Sequence, residues 1–310
     1  MTTPIATLIP IPITAGMIIS GTTVSEPAAG EIAWVSAGTY AIGDLRIRST
    51  THRVYACVQA HSGRAALPEN DAAYWLDKAP TQRFAPFDVY TSTAATSTGS
   101  ITFVIQPGYF NSLALYGLIG ATYSISIKDA PGGSVIYTNS GGLSVDQIGW
   151  YEYLFAPLRI MDKLIISGLP IRPAAELTVT ISAAPGASVG IGMINVGDFA
   201  DLLDGADWGG PQYGATSEPV SYSYIKVNTD GTTSIVKRVA ATSMRVSVQM
   251  PAAQADYALQ RVRQVLDVPV SWIVNEPGFS GLNVFGLGSA VLNYDQFGSA
   301  KMDLTVKGFI

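Results

Sequence analysis

Short runs in which apolar and polar residues alternate recur along most of the chain, separated by glycine, proline, asparagine and aspartate. A period of two residues is typical of strands that bury one face. At residues 87–190 the near-regular spacing of such runs predicts an antiparallel β-sandwich of the jelly-roll kind. Pro131-Gly132-Gly133 predicts a hairpin turn within it, and residues 160–169 and 177–182 predict successive strands.

The C-terminal part of the chain, residues 191–310, joins the same alternation to one helical pattern. Asp230-Gly231 between two β-rich runs predicts a hairpin. Residues 251–267 predict an α-helix, because apolar residues recur there at helical spacing and Pro251 suits a first-turn position. We expect one face of this helix to be buried, formed by Ala255, Ala258, Leu259, Val262, Val265 and Leu266. The runs after the helix predict strands up to the C-terminus.

The N-terminal part predicts an arm followed by a small module. The first twenty residues are apolar and contain three prolines, which interrupt a helix. We expect residues 1–30 to form an extended arm that becomes ordered against a neighbouring molecule. Residues 31–86 predict a small β module, with a turn at 41–44 and paired strands at 45–48 and 53–59.

Composition narrows the class of protein. Hydrophobic residues make up 48% of the 310, charged residues 13%, and the formal net charge is −5. The chain therefore has enough apolar surface for folded cores, but it lacks the basic face of an electrostatic nucleic-acid binder. No apolar run is long enough for a transmembrane helix, and the N-terminal residues lack the basic region of a secretory signal. We expect neither nucleic acid nor a membrane span among its interactions.

Candidate catalytic and metal-binding residues are few. One cysteine and two histidines cannot supply the four ligands of a structural zinc site. No GxSxG motif, P-loop or complete dinucleotide-binding motif occurs. The carboxylates available to a glycosidase are Glu152, Asp162 and Glu176. Nothing in their spacing selects the pair that glycoside hydrolysis needs, so we expect no enzymatic activity, no cofactor and no metal.

An acidic segment follows the predicted sandwich, with aspartates at every third position: Asp198, Asp201, Asp204 and Asp207. Clustered carboxylates suit Ca²⁺, which takes six to eight oxygen ligands, but the alternating spacing of an EF-hand loop is absent. Acidic residues are also common at helix starts. The pattern favours a short helical turn beginning near Asp198 with solvated carboxylates, and Ca²⁺ binding is the alternative.

An ordered set of aromatic and turn residues in the small module resembles the chitin- and cellulose-binding modules of family 5/12. The residues that carry the resemblance are Ala33, Trp34, Tyr40, Gly43, Asp44, Tyr55, Pro68, Tyr74 and Trp75. Those modules bind polysaccharide through exposed aromatic rings. The resemblance therefore implies a glycan-binding site at Tyr40, Tyr74 and Trp75, with polar partners from the loop at 69–71. The alternative is that the aromatic rings form the core of the module.

A second resemblance extends over most of the chain. The module continues into the segment PTQRFAPFD at 80–88. The C-terminal part combines a hairpin, a helix, a strand with Trp272-Ile273 and alternating apolar and polar residues up to the chain end. This order is similar to tail-tip and distal or minor tail proteins of tailed bacteriophages. It implies a structural virion protein of the tail tip or baseplate, made in the host bacterial cytoplasm. Its implied partners are copies of itself, other tail proteins and host cell-surface polysaccharide.

Carbohydrate binding outside a virion is the alternative function. The central segment resembles galactose-binding-like jelly rolls in its layout, which fits a carbohydrate-binding protein or a non-catalytic module of a polysaccharide-degrading enzyme. A secreted lectin should carry a signal peptide, and the N-terminal residues do not read as one. The structural virion protein is therefore the leading hypothesis.

Overall fold

Strands dominate the structure, as the alternating sequence pattern predicts. The computed structural model describes residues 5–90, 92–144, 150, 161–203, 208–227, 231–236, 240–274 and 280–309. Numbered along the chain, the strands are β1 (Ile5–Pro10), β2 (Thr39–Tyr40), β3 (Leu45–Arg48), β4 (Arg53–Cys57), β5 (His61–Ser62), β6 (Trp75–Pro80), β7 (Ala95–Thr98), β8 (Ser100–Ile105), β9 (Ser112–Tyr116), β10 (Thr122–Lys128), β11 (Val135–Gly142), β12 (Lys163–Ser167), β13 (Glu176–Ser182), β14 (Ser188–Ile191), β15 (Met193–Asp201), β16 (Gly210–Pro211), β17 (Thr216–Ser221), β18 (Tyr224–Val227), β19 (Thr233–Val236), β20 (Ala240–Pro251), β21 (Val270–Val274), β22 (Val284–Gln296) and β23 (Ser299–Gly308). The helices with defined bounds are α1 (Ala252–Gln264) and 3-10 turns at Ala15–Met17, Pro68–Asn70, Ala85–Phe87 and Ser280–Leu282. The predicted mainly β fold class is confirmed.

Ten antiparallel strands of the described residues form one large sheet. Its order is β12-β9-β15-β1-β21-β22-β23-β20-β16, and β17 also pairs with β20. The predicted boundary near residue 190 lies within β14. Strands β9 and β12, from the predicted central segment, share this sheet with the C-terminal strands. The large sheet is therefore built from both segments.

Residues 5–10 belong to this sheet, which corrects the prediction of an arm ordered only against a neighbouring molecule. Strand β1 lies between β15 and β21, with Leu8 opposite Phe199 on one side and Ser271 on the other. Ile5 and Leu8 are fully buried, on opposite faces of the sheet. A strand buried on both faces has a continuous apolar sequence, so the pattern alone does not distinguish it from an arm that packs on another molecule.

The large sheet curls into a half-barrel. Strands β9 and β22 are separated by three strands in the sheet, yet the rings of Tyr116 and Phe285 lie 6.0 Å apart. The concave side carries a buried cluster formed by Leu8, Ala114, Tyr116, Met193, Ile273 and Phe285. Asn195 and Ser271 share this face, and the Asn195 amide donates to the Ser271 hydroxyl over 2.9 Å. Around these residues the concave side is a packed core.

One half of the convex side packs against a second sheet, with the order β11-β10-β13-β8. The core between the sheets includes Phe103, Ile125 and Val179 from the second sheet and Leu115 from the large one. Strands β10 and β11 form the hairpin predicted around residues 131–133. Two sheets facing each other over an apolar core confirm the predicted central β-sandwich.

The other half of the convex side is covered by α1, which forms close to the predicted bounds. Buried positions of the predicted helix face are Ala255, Ala258, Val262 and Val265. Leu259 is half-buried and Leu266 is 41% exposed. The prediction was wrong for Leu266 because the helix ends at Gln264 and Leu266 lies in the turn that follows.

Trp272 on β21 anchors the core beneath this helix. It is the largest fully buried side chain of the described residues, and its indole N–H donates to the Gly286 carbonyl over 3.2 Å. A Cβ atom at Gly288 would overlap the Trp272 ring. Glycine at this position of β22 therefore makes room for the indole.

The small module contains a sheet of order β3-β4-β6 and a separate β2–β5 pair. The predicted pairing of the 45–48 and 53–59 strands is confirmed, and the Asp44 amide closes the predicted turn on the Ala41 carbonyl at 3.1 Å. The buried cluster of the module consists of Tyr40, Tyr55, Cys57 and Trp75, with Trp34 and Tyr74 partly buried against it. Aromatic rings therefore supply most of this small core.

Candidate functional sites

The predicted glycan platform at Tyr40 and Trp75 is buried. Tyr40 is 5% exposed and Trp75 is 2% exposed. The Tyr40 hydroxyl donates to the Val35 carbonyl over 2.6 Å, and the edge of the ring meets Trp75 at a centroid distance of 4.9 Å. Sugar stacking needs an open aromatic face, so this result corrects the prediction for both residues. In a module of this size the largest rings fill the core, because little other apolar surface exists.

Tyr74, the third predicted glycan-binding residue, is half-buried and already covered. The Arg64 guanidinium lies 3.8 Å from the centre of its ring, and the His61 ring approaches it edge-on at 5.0 Å. Arg64 also forms an ion pair with Asp71 at 3.0 Å, and Arg48 forms one with Glu69 at 3.1 Å. The carboxylates predicted to meet sugar hydroxyls are therefore engaged within the module.

The single cysteine and the two histidines do not converge on a metal site. Cys57 is buried, and burial raises the pKa of its thiol. His61 Nδ1 lies 3.8 Å from the Cys57 sulfur, whereas His52 Nδ1 is paired with a carboxylate oxygen of Glu26 at 2.8 Å. Within the described ranges no three His, Cys, Asp or Glu side chains lie close enough together to hold a metal ion.

The acidic segment forms a strand where we expected a helical turn. Asp198 and Asp201 lie on β15, and Asp198 accepts a hydrogen bond from the Asn111 amide at 2.8 Å. Asp204 and Asp207 lie outside the described residues. The prediction of a turn was wrong because β15 is held on both sides, by β9 and β1, and this pairing outweighs the weak preference of acidic residues for helix starts.

Two of the three carboxylates considered for catalysis, Asp162 and Glu176, lie within the described residues. Glu176 is buried, and it accepts from the Lys128 ammonium at 2.6 Å. Asp162 is exposed beside the half-barrel, and Glu152 lies outside the described residues. A glycosidase pair would face one another across a common cleft, and Glu176 is committed to an internal ion pair.

A cavity of about 260 Å³ opens where the two ends of the curled sheet approach each other. Lys163 lines it, and its ammonium donates to the Asn283 carbonyl at 3.2 Å. Burial lowers the pKa of Lys163, while the neighbouring Asp162 carboxylate opposes that shift. Tyr116 also lines the cavity, and burial raises the pKa of its hydroxyl. The cavity offers the Lys163 ammonium, the Asp162 carboxylate and backbone carbonyls.

A hairpin of β18 and β19 exposes apolar side chains. Ile225 and Ile235 are directly paired across the two strands, and they are 66% and 68% exposed. Val227 lies two residues further on the same face and is 68% exposed. The pairing confirms the hairpin predicted around Asp230-Gly231, of which Asp230 lies outside the described residues. We call Ile225, Val227 and Ile235 the hairpin face; sequence reasoning missed it because alternation alone does not tell which strand faces are covered.

Comparisons with known proteins add little to this geometry. No protein-family profile matches the chain, and no curated protein matches it. A solved structure of the F5/8 type C domain of a protein from Bacteroides fragilis is similar over 38% of this chain and 80% of that domain, with 11% sequence identity and a TM-score of 0.25. A similarity at this score decides nothing about function. In the described parts of the chain, no helix has the length and apolar character required to cross a bilayer.

Proposed function

We propose that this chain is a non-enzymatic structural subunit of a bacteriophage tail tip or baseplate, which assembles with copies of itself and with other tail proteins and contacts host-surface glycan. The virion assignment rests on the resemblance of residues 80–88 and of the C-terminal part to tail proteins. The observation that supports assembly is the hairpin face, an apolar ribbon that the rest of the described chain leaves uncovered.

A two-stranded ribbon by itself is marginally stable in water, and an exposed cluster of apolar residues marks an interaction surface. Ile225, Val227 and Ile235 each keep about two thirds of their surface exposed. Lys226 is the single charged residue within β18 and β19. Covering this face therefore gains apolar burial at little electrostatic cost.

A second copy of the chain is the partner that we propose for this face. Every copy carries the same ribbon. If the ribbon of one copy contacts a different surface of the next copy, the repeated contact closes into a ring when its rotation allows. Strands β11 and β12 lie at the edges of their sheets and supply further backbone groups for pairing between copies. Such contacts are the kind that a ring-forming subunit needs.

The test is the double substitution Ile225→Glu with Ile235→Glu, measured by sedimentation velocity over a range of concentrations. Burying each isoleucine by a further two thirds of its surface is worth about 1–2 kcal/mol. Losing both therefore weakens association about 30-fold or more. Ile42→Glu is the matched control, since Ile42 is 72% exposed but lies in a turn of the small module.

We expect the unchanged chain and the Ile42→Glu variant to form the same oligomer, and the double variant to dissociate. An unchanged chain that stays monomeric at its highest soluble concentration would contradict the proposal. Equal assembly of all three would show that the hairpin face is not the contact. A monomer that nevertheless binds glycan would support the alternative, a carbohydrate-binding protein.

A further inference from the structure

A groove lined by hydroxyl groups lies where the small module meets the β-sandwich. Its volume is about 450 Å³. The floor is the β7–β14 ribbon, in which Thr98 pairs with Ser188. One wall is the segment 23–29, and Gln82 lines the groove from the end of the small module. We call this the hydroxyl groove, defined by Ser25, Ala29, Gln82, Thr96, Thr98 and Ser188.

Several polar groups of the hydroxyl groove are free to bind a ligand. Thr98 and Ser188 are exposed, and among the described residues their hydroxyls make no hydrogen bond. The side-chain nitrogen of Gln82 donates to the Thr96 hydroxyl at 3.3 Å, which leaves the side-chain carbonyl oxygen of Gln82 as an acceptor. None of the residues that line the groove carries a charge.

The groove is held in shape by partly buried hydrogen bonds between its wall and its end. One carboxylate oxygen of Glu31 accepts a hydrogen bond from the backbone N–H of Ala28 at 2.8 Å. The other accepts one from the backbone N–H of Gln82 at 2.7 Å. The neighbouring Glu26 accepts from the Thr81 hydroxyl at 2.7 Å. These bonds fix the wall against the small module, so that little ordering is needed when a ligand enters.

We propose that the hydroxyl groove binds an uncharged glycan. Hydroxyls and a carboxamide that both donate and accept match the hydroxyls of a sugar, and the absence of charge removes any preference for an anionic or cationic ligand. The exposed methyl of Ala29 and those of the threonines offer small apolar contacts for sugar C–H groups. The volume is in the range of small-molecule sites and accommodates one or two sugar units.

This inference deepens the glycan-contact part of the proposed function and is independent of how the chain assembles. It places the glycan-binding site where the small module meets the β-sandwich, and not on the buried rings of Tyr40 and Trp75. The groove joins four separate stretches of chain, at 23–29, 82, 96–98 and 188. No local sequence motif could have indicated it.

The experiment measures binding of N-acetylchitohexaose, cellohexaose and maltohexaose by isothermal titration calorimetry. Ser188→Tyr fills the groove from an exposed strand position, and Thr96→Val with Thr98→Val removes two hydroxyls while keeping the β-branched shape. Thr138→Val on β11 is the matched control, because it is an exposed strand threonine on another sheet. Thermal melting confirms that each variant is folded.

We expect at least one hexasaccharide to bind the unchanged chain and the Thr138→Val variant equally. Binding should fall about three- to tenfold for each hydroxyl removed and be lost in Ser188→Tyr. Failure of all three sugars to bind, or binding that Ser188→Tyr leaves unchanged, would overturn the inference. Sedimentation velocity on the same variants should show unaltered assembly, so that failure of the groove and failure of the assembly proposal are separate results.

Discussion

Replacing Trp75 with alanine separates a core role of this ring from a role in glycan binding. Trp75 is 2% exposed, and it packs edge-on against Tyr40 at 4.9 Å and against His61 at 5.4 Å between ring centroids. A buried aromatic side chain removes about 150–250 Å² from water. At about 25 cal/mol per Å² this amounts to roughly 4–6 kcal/mol, and aromatic-to-alanine substitutions in cores cost about 3–5 kcal/mol.

We therefore expect Trp75→Ala to lower the free energy of unfolding of the small module by about 4 kcal/mol. The assay is amide hydrogen exchange on β3, β4 and β6, because it reports the stability of this sheet separately from that of the rest of the chain. Trp208→Ala is the matched control. Trp208 is 44% exposed, so its loss should cost roughly 2–3 kcal/mol, about half the cost at Trp75. Exchange in the module should stay unchanged.

The reasoning would be refuted if Trp75→Ala changed the module's stability by less than about 1 kcal/mol while glycan binding was lost. That result would mean that the ring faces solvent and serves as a platform. If the alanine variant does not fold, Trp75→Phe replaces it. The smaller ring keeps part of the packing, so protection of β4 and β6 should decrease by an intermediate amount, and glycan binding in the hydroxyl groove should persist.

Two further substitutions probe the half-barrel. Gly288→Ala should destabilise the chain by about 1–3 kcal/mol in urea unfolding, since the new methyl overlaps the Trp272 ring. Gly281→Ala should have little effect, because its new methyl would meet only the Ser217 hydroxyl oxygen, at the ordinary contact distance of 3.9 Å. Burial raises the pKa of Tyr116. Between about pH 10 and 11 the phenol therefore ionises in the unfolded chain and stays protonated in the folded one. The free energy of unfolding then falls with rising pH by up to about 1.4 kcal/mol per pH unit. Tyr116→Phe should remove that part of the slope in urea unfolding measured from pH 9 to 11. Equal slopes for the variant and the unchanged chain would contradict the assignment.

The sequence by itself determined the local structure. Alternation with a period of two residues predicted the strands of the sandwich and of the C-terminal part, and turn residues predicted the β10–β11 and β18–β19 hairpins. Helical spacing after Pro251 predicted α1 to within a few residues. These features depend on contacts between residues close in the chain, or on a preference for one buried face, and both can be read from a short window.

Tertiary structure alone decided which apolar surfaces are covered and by what. The same apolar run at residues 5–10 suits an arm or a central strand, and it became a strand because β15 and β21 lie on either side of it. Tyr40 and Trp75 were expected to bind glycan from a resemblance in sequence, yet they form the core of the small module together with Tyr55 and Cys57. The hydroxyl groove exists because the fold brings four separate stretches of chain together. Burial is a sum over long-range contacts, so it cannot be read from the pattern of one segment.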